Sequence, residues 1–216
     1  LPRLSDSFRT SLDSLATEYQ KALTDDARCY LNGRGIDDGA IERYRIGEVT
    51  ADSEHGWYAG MICLPYLTSN GVVSLKFRQP HACTSECEHQ RYITPYRTRL
   101  YNTLSMDEAD KIGIIAITEG EFDAITLDYH CGIPAVAIPG VDSWQAHPEW
   151  KRLFEGYRSV LICTDNDEEG RRLAKRVAVD VNDGHTLTLS SKDANATYLA
   201  AGADEIRRKA GLDERA

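Results

Sequence analysis

Ile112-Gly113-Ile114-Ile115-Ala116-Ile117-Thr118 runs into Glu119-Gly120-Glu121-Phe122-Asp123-Ala124, and Ser159-Val160-Leu161-Ile162-Cys163-Thr164 runs into Asp165-Asn166-Asp167-Glu168-Glu169-Gly170. Both apolar runs are near-continuous rather than alternating, which predicts strands of a parallel sheet covered on both faces. Ligands of such sheets bind just beyond the carboxyl ends of the strands. Two strands therefore aim carboxylates at one place. Glu119 and Asp123 are four residues apart across a strand-to-helix turn, so Asp123 can face back toward Glu119. Asp165 and Asp167 alternate at the second strand tip, and Asp193 follows a third strand, His185 to Leu189. Such a cluster repels itself unless a cation sits inside it, and a hard, oxygen-preferring ion such as Mg2+ is the natural occupant. One or two such ions would bridge a phosphate, activate a hydroxyl and stabilise a leaving oxygen. A lone Glu-Gly or Asp-x-Asp is usually a turn; both in order, with a trailing Lys192-Asp193-Ala194-Asn195, specify this chemistry.

The 216 residues suffice for one large or two small domains with a real core. With 42% hydrophobic and 27% charged residues, the composition is that of an ordinary globular protein. No apolar stretch approaches membrane-spanning length, and Leu1-Pro2-Arg3-Leu4-Ser5-Asp6 is no signal peptide. Opening on Leu rather than Met suggests a trimmed polypeptide. The net charge of −9 argues against a generic nucleic-acid coat but not against an enzyme with catalytic acids and a local basic groove. The six cysteines are scattered, with Cys63 and Cys163 inside apolar runs as small buried hydrophobes, which fits a reducing, cytoplasmic compartment.

Phe8, Leu12, Leu15, Tyr19 and Leu23 mark one face of a helix capped near Ser5. A second helix, Asp25 to Asn32, is expected to end at a left-handed Gly33, and a third, capped by Asp37, at Gly47. Met61 to Thr68 and Val72 to Phe77 read as strands of a hairpin around Asn70-Gly71. Lys76, Arg78, Arg91, Arg97 and Arg99 then interleave with Tyr92 and Tyr96. Cations for a backbone and aromatics for bases are what single-stranded nucleic acid asks of a surface, although a solvated loop with snorkelling arginines has the same composition. Ser105-Met106-Asp107-Glu108 has the capping-box pattern. Helices are expected over Phe122 to His130 and Pro148 to Phe154, a strand at Pro134 to Ile138, and a helix after Gly170 whose outer face carries Arg171, Arg172, Lys175 and Arg176. Strands alternating with helices imply βαβ units.

Glu119-Gly120-x-x-Asp123-Ala124 followed by Asp165-x-Asp167-x-x-Gly170 resembles the metal-binding signature of the TOPRIM domain, which is shared by bacterial-type (DnaG-like) primases, type IA and II topoisomerases, RecR-like repair proteins and OLD-family nucleases. The match covers roughly residues 110 to 200. The resemblance implies that Glu119 is the acid/base glutamate, that Asp165 and Asp167 bind Mg2+ (or Mn2+), that Asp123 is the aspartate of the first motif, and that Asp193 is a third acidic position. Tyr30 to Ile36, Ile41 to Gly47, Met61 to Tyr66 and Arg91-Tyr92-Ile93-Thr94-Pro95 resemble segments of primase polymerase cores, most of all the compact primases of phages. Arg91 stands where lysine is commoner, and the helix from Arg171 to Arg176 is richer in arginine than the motif requires.

The resemblance implies an α/β protein: an α+β N-terminal subdomain over 1–108, a Rossmann-like TOPRIM domain with a mainly parallel sheet over 109–203, and a C-terminal helix or tail over 204–216. It implies a DNA primase that makes RNA primers on single-stranded DNA from ribonucleoside triphosphates by Mg2+-dependent nucleotidyl transfer. Glu119, Asp165 and Asp167 would be catalytic. Lys76, Arg78, Arg91, Tyr92, Arg97 and Arg99 would hold template or nucleotide. The alternatives are a metal-dependent TOPRIM nuclease and a non-catalytic nucleic-acid-binding protein. A replicative helicase would be reached through another domain or a separate chain, in the host bacterial cytoplasm if a phage encodes it, with no membrane partner. His81, Cys83, Cys87 and His89 lie outside the usual core pattern and have the ligand types and tight spacing of a zinc knuckle, or form a polar insertion with reduced thiols.

Overall fold

A computed structural model describes residues 4–80, 92–140 and 142–212. Arg91 and the proposed His81, Cys83, Cys87 and His89 ligands lie outside these residues. The chain divides into two compact units, Leu1–Arg99 and Leu100–Ala216. Residues 100–108, expected at the end of the first part, thus fall in the second unit. Among the described residues no helix is long and apolar enough to cross a membrane.

In the first unit, α1 (Asp6–Lys21), α2 (Asp25–Gly33) and α3 (Asp38–Arg43) precede the strands β1 (Gly47–Glu48), β2 (Ile62–Thr68), β3 (Gly71–Arg78) and β4 (Tyr92–Ile93). Each helix starts on a side-chain oxygen that accepts an otherwise unpaired N–H: Ser5 from Phe8, Thr24 from Ala27, Asp37 from Ala40. The strands form an antiparallel sheet in the order β1-β2-β3-β4. Leu12, Ala16 and Tyr19 of α1 pack on Val72, Leu75 and Phe77 of the sheet with Met61 and Cys63.

Two helix ends differ from the sequence reading. Gly33 is the last residue of α2, and the left-handed position falls on Gly35 (φ 69°). The third helix stops at Arg43, before Gly47, and Arg45 takes the left-handed conformation (φ 53°). Arg45 is held there because its guanidinium donates to Asp13 at 2.6 Å and Thr17 at 2.7 Å. Gly47 instead opens β1, where a Cβ would overlap the backbone of Tyr19 and Gln20. Its requirement is close approach of helix and strand.

The second unit contains α4 (Met106–Ile112), β5 (Ile114–Thr118), α5 (Glu121–Ile125), β6 (Ala135–Ala137), α6 (Ser143–Ala146), β7 (Ser159–Cys163), α7 (Glu168–Asp180), β8 (Gly184–Thr186) and α8 (Ala194–Lys209). Its sheet runs β6-β5-β7-β8 and every pair is parallel. Ile115, Ile117, Val160 and Ile162 lie in one core with Leu173 and Val177 of α7, and with Trp144, Trp150 and Phe154. The expected Phe122–His130 helix is α5 continued by a wider π-helical segment, Thr126–His130, and residues 148–154 are 3-10 helical. The expected 185–189 strand shrinks to β8. Ser105 is no cap: its hydroxyl donates to Asp128 and accepts the Ala135 N–H, both at 2.8 Å. The break expected at residue 204 falls inside α8, two residues past a kink at Gly202 (φ 80°).

Replacing Gly47 with Ala should lower the urea midpoint of the first unit, a loss of about 1–3 kcal/mol, followed by Tyr19 fluorescence or circular dichroism. An unchanged midpoint would mean that α1 and β1 do not approach this closely in solution.

Candidate metal centre

The register of β5 on β7 pairs Thr118 with Cys163, so the two chains leave the sheet side by side. Glu119 and Asp165 follow within two residues. The Asp165 N–H donates to Glu119 Oε2 at 3.4 Å, which ties the two acidic turns together. Carboxylate oxygens of Asp123, Asp165 and Asp193 lie within 4.8 Å of one another. Three elements thus converge: α5, the tip of β7, and the N-terminus of α8.

Tight backbone turns hold these acids in place. A Cβ on Gly120 would come within 2.8 Å of Asp123 Oδ2, and one on Gly170 would overlap the Asp165 carbonyl oxygen. Asp123 Oδ1 accepts the backbone N–H of Asn195 at 2.9 Å, and the Asn195 side-chain amide donates to the Thr126 hydroxyl at 3.1 Å. Asp193 caps α8 by accepting from Ala196 N–H at 2.7 Å, and Asp167 caps α7 by accepting from Gly170 N–H at 2.9 Å. Asn166 N–H donates to the Lys192 carbonyl at 2.6 Å, pinning the Asp193 loop to the β7 tip. The Lys192 ammonium sits 3.0 Å from Asp165 Oδ2.

Glu119 is pushed up to about 7, first by burial and then by the charge of Asp165, with Asp167 adding to it; the Asp165 N–H and Lys192 oppose the shift. Burial also raises the Cys163 thiol beneath the site, consistent with a small apolar residue rather than a reactive one. Three carboxylates from separate elements form a hard-oxygen donor set. Asp123, Asp165 and Asp193 are therefore the residues that would hold a hard divalent cation such as Mg2+.

Of the five acids singled out in the sequence, Asp123, Asp165 and Asp193 meet, Glu119 abuts Asp165, and Asp167 stands one turn away as a helix cap. Lys192, Asn195 and Thr126 were missed as site residues. The Lys192-Asp193-Ala194-Asn195 motif carried two of them, but its roles depend on a loop closure that spacing does not reveal.

In the first unit, Lys76 and Arg78 are both buried along β3 and both approach the Tyr92 ring, at 4.8 Å and 5.3 Å from its centre. Arg78 also donates to the Tyr30 hydroxyl at 3.0 Å. Arg97 is exposed and Arg99 half-buried, the latter lowered first by burial and then by Arg97. Tyr96 does not present a free face. Its ring packs edge-on against Phe8 and His55, and its hydroxyl bonds His55 Nε2 at 3.0 Å. Burial leads the shift of its phenol to about 12.

Residues 116–198 match a family model described as Toprim-like. The "Gene 57 protein" of Mycobacterium phage D29 is 32% identical over 157 residues, covering 69% of this chain and 97% of that protein. The RNA polymerase domain of Mycobacterium tuberculosis primase DnaG superposes with a TM-score of 0.75 at 19% identity, over 96% of this chain and 84% of that one. A DnaG primase catalytic domain bound to single-stranded DNA gives 0.70 at 17% identity, over 95% and 80%. The fold is thus that of the DnaG primase catalytic core, and the chain belongs to the Toprim-bearing family of the phage D29 protein.

In metal-free protein the Glu119 carboxyl should titrate near 7 by carbon-detected NMR, and Asp165→Asn should lower that midpoint. Because this group ionises less readily folded than unfolded, it withdraws stability as pH rises from about 4.5 to about 7. A Glu119 midpoint unmoved by Asp165→Asn would contradict the arrangement.

Proposed function

We propose that this chain is the catalytic core of a phage-encoded DNA primase, which makes RNA primers on single-stranded DNA in the host bacterial cytoplasm. The observation that carries the reading is the convergence of Asp123, Asp165 and Asp193 beside a half-buried Glu119, on a primase-core fold. When bound, Mg2+ or Mn2+ would neutralise the triphosphate and favour ionisation of the primer 3′-hydroxyl. Asp123, Asp165 and Asp193 would hold it, with Asp167 joining by leaving its cap or orienting the β7 turn. Glu119, poised near 7, suits either of two roles: taking the 3′-hydroxyl proton or completing the ligand set. The 3′-oxygen would attack the α-phosphorus as pyrophosphate leaves.

Lys76, Arg78, Arg91, Arg97 and Arg99 would hold the phosphates of template or nucleotide, and Tyr92 would order Lys76 and Arg78 or stack on a base. The single-stranded DNA of the DnaG complex is the precedent for such a template. His81, Cys83, Cys87 and His89 would either bind Zn2+ or serve as a polar insertion with reduced thiols, which the zinc content of the purified chain distinguishes. A replicative helicase would engage through a separate chain or domain.

Wild-type protein with single-stranded DNA, labelled ribonucleotides and Mg2+ or Mn2+ should yield oligoribonucleotides, and Asp165→Ala should abolish them, a loss of at least about 100-fold. DNA cleavage without synthesis would instead favour the nuclease reading. Arg78→Ala should weaken single-stranded DNA binding and flatten its salt dependence by about 0.7 in log–log slope, as expected for one lost phosphate contact. An unchanged slope would remove Arg78 from the template surface.

A further inference from the structure

Beside the carboxylate cluster lies a hollow of about 250 Å3, walled by α7 on one side and residues 186–192 on the other. Its rim carries Arg171, Lys175 and Lys192, facing one carboxylate, Asp165, at the end nearest the cluster. Thr186, Thr188 and Ser191 add hydroxyls to the polar lining, and Leu187 and Leu189 supply an apolar wall. Both walls are fixed. Leu187 N–H donates to the Ile162 carbonyl at 2.9 Å, Asn166 N–H to the Lys192 carbonyl at 2.6 Å, and the Arg171 guanidinium to the Asn166 carbonyl at 3.0 Å. Lys192 reaches Asp165 at 3.0 Å, whereas Lys175 forms no ion pair among the described residues.

Three cations against one carboxylate select an anion. At about 250 Å3, just under the roughly 300 Å3 at which pockets for whole drug-sized molecules begin, the hollow has room for a diphosphate. Asp165 belongs both to the hollow's lining and to the carboxylate cluster, so the two adjoin. A chain of phosphates held at the cluster would reach the hollow's ammonium and guanidinium donors, which give phosphate oxygens their strongest hydrogen bonds. The arginine-rich face of α7, in excess of what the acidic motif requires, acquires a use at Arg171 and Lys175. Arg172 and Arg176 instead line a separate hollow with Asp142 and Glu169.

We propose that the hollow between α7 and residues 186–192 is a polyphosphate subsite, which grips the β- and γ-phosphates of the incoming nucleotide and then the pyrophosphate it becomes. Its place in turnover rests on the primase reading. As the 3′-hydroxyl gives up its proton, to Glu119 or to solvent, and its oxygen bonds to the α-phosphorus, the bond from that phosphorus to the bridging oxygen breaks. The electron pair of that bond stays on the pyrophosphate, next to Lys175, Arg171 and Lys192.

The probe is inorganic pyrophosphate with Mg2+, titrated into the whole chain by calorimetry. Lys175→Ala should weaken its binding about tenfold, the loss of one charge-assisted hydrogen bond, while Lys175→Arg retains it and Arg172→Ala leaves it unchanged. In primer synthesis Lys175→Ala should raise KM for ribonucleotides with kcat held. Equal pyrophosphate affinity in wild type, Lys175→Ala and Arg172→Ala would overturn the subsite. Primer synthesis with a KM indifferent to Lys175→Ala would overturn the subsite and leave the primase reading standing. Pyrophosphate binding that depends on Lys175, in a protein that makes no primers, would support the subsite and overturn the primase reading.

Discussion

Mutual repulsion among carboxylates at one sheet edge is the constraint that the second unit is built to withstand. Asp123, Asp165 and Asp193 come from three different stretches of chain, so each must be delivered separately to the same few ångströms. The parallel pairing of β5 with β7 fixes two of the three, and the Asn166–Lys192 backbone bond fixes the third. Glycines at 120 and 170 let the turns close where a side chain would collide with the acids or their backbone. Helix starts absorb part of the charge, because otherwise unpaired N–H groups of α7 and α8 donate to the capping carboxylates of Asp167 and Asp193. Lys192 offsets part of the rest at Asp165, and Glu119 yields by holding its proton up to about pH 7.

That strain is what makes the arrangement informative. Like charges held close together are unfavourable, and a fold that gathers carboxylates from separate elements favours a cation among them. The first unit has the opposite character at β3, where buried Lys76 and Arg78 share the Tyr92 ring. Carboxylates gathered in one unit and buried cations in the other are thus separate electrostatic features of the chain.

The sheet of the second unit was legible because buried parallel strands are written as continuous apolar runs, and the acids because they stand directly after them. Their mutual approach followed from topology rather than from any one spacing. What stayed hidden depends on contacts remote in sequence. Gly33 and Gly47 have the composition of helix stops, yet the turn falls at Gly35 and at Arg45, which Asp13 and Thr17 hold from another helix. Ser105 fits a capping box locally, but Asp128 and the Ala135 N–H, over twenty residues away, claim its hydroxyl. Tyr96 reads as a stacking aromatic until Phe8 and His55 enclose it. Lys192 and Asn195 sat in a motif already noted, and only loop closure gives them partners.

The most direct test of the central claim is Mn2+ binding to the whole chain, followed by loss of the free-ion electron paramagnetic resonance signal at pH 7.5. The account predicts saturable binding by wild type that Asp123→Asn, Asp165→Asn and Asp193→Asn each weaken by an order of magnitude or more, with the folded circular dichroism spectrum retained. Binding of equal strength in the wild type and all three variants would contradict it.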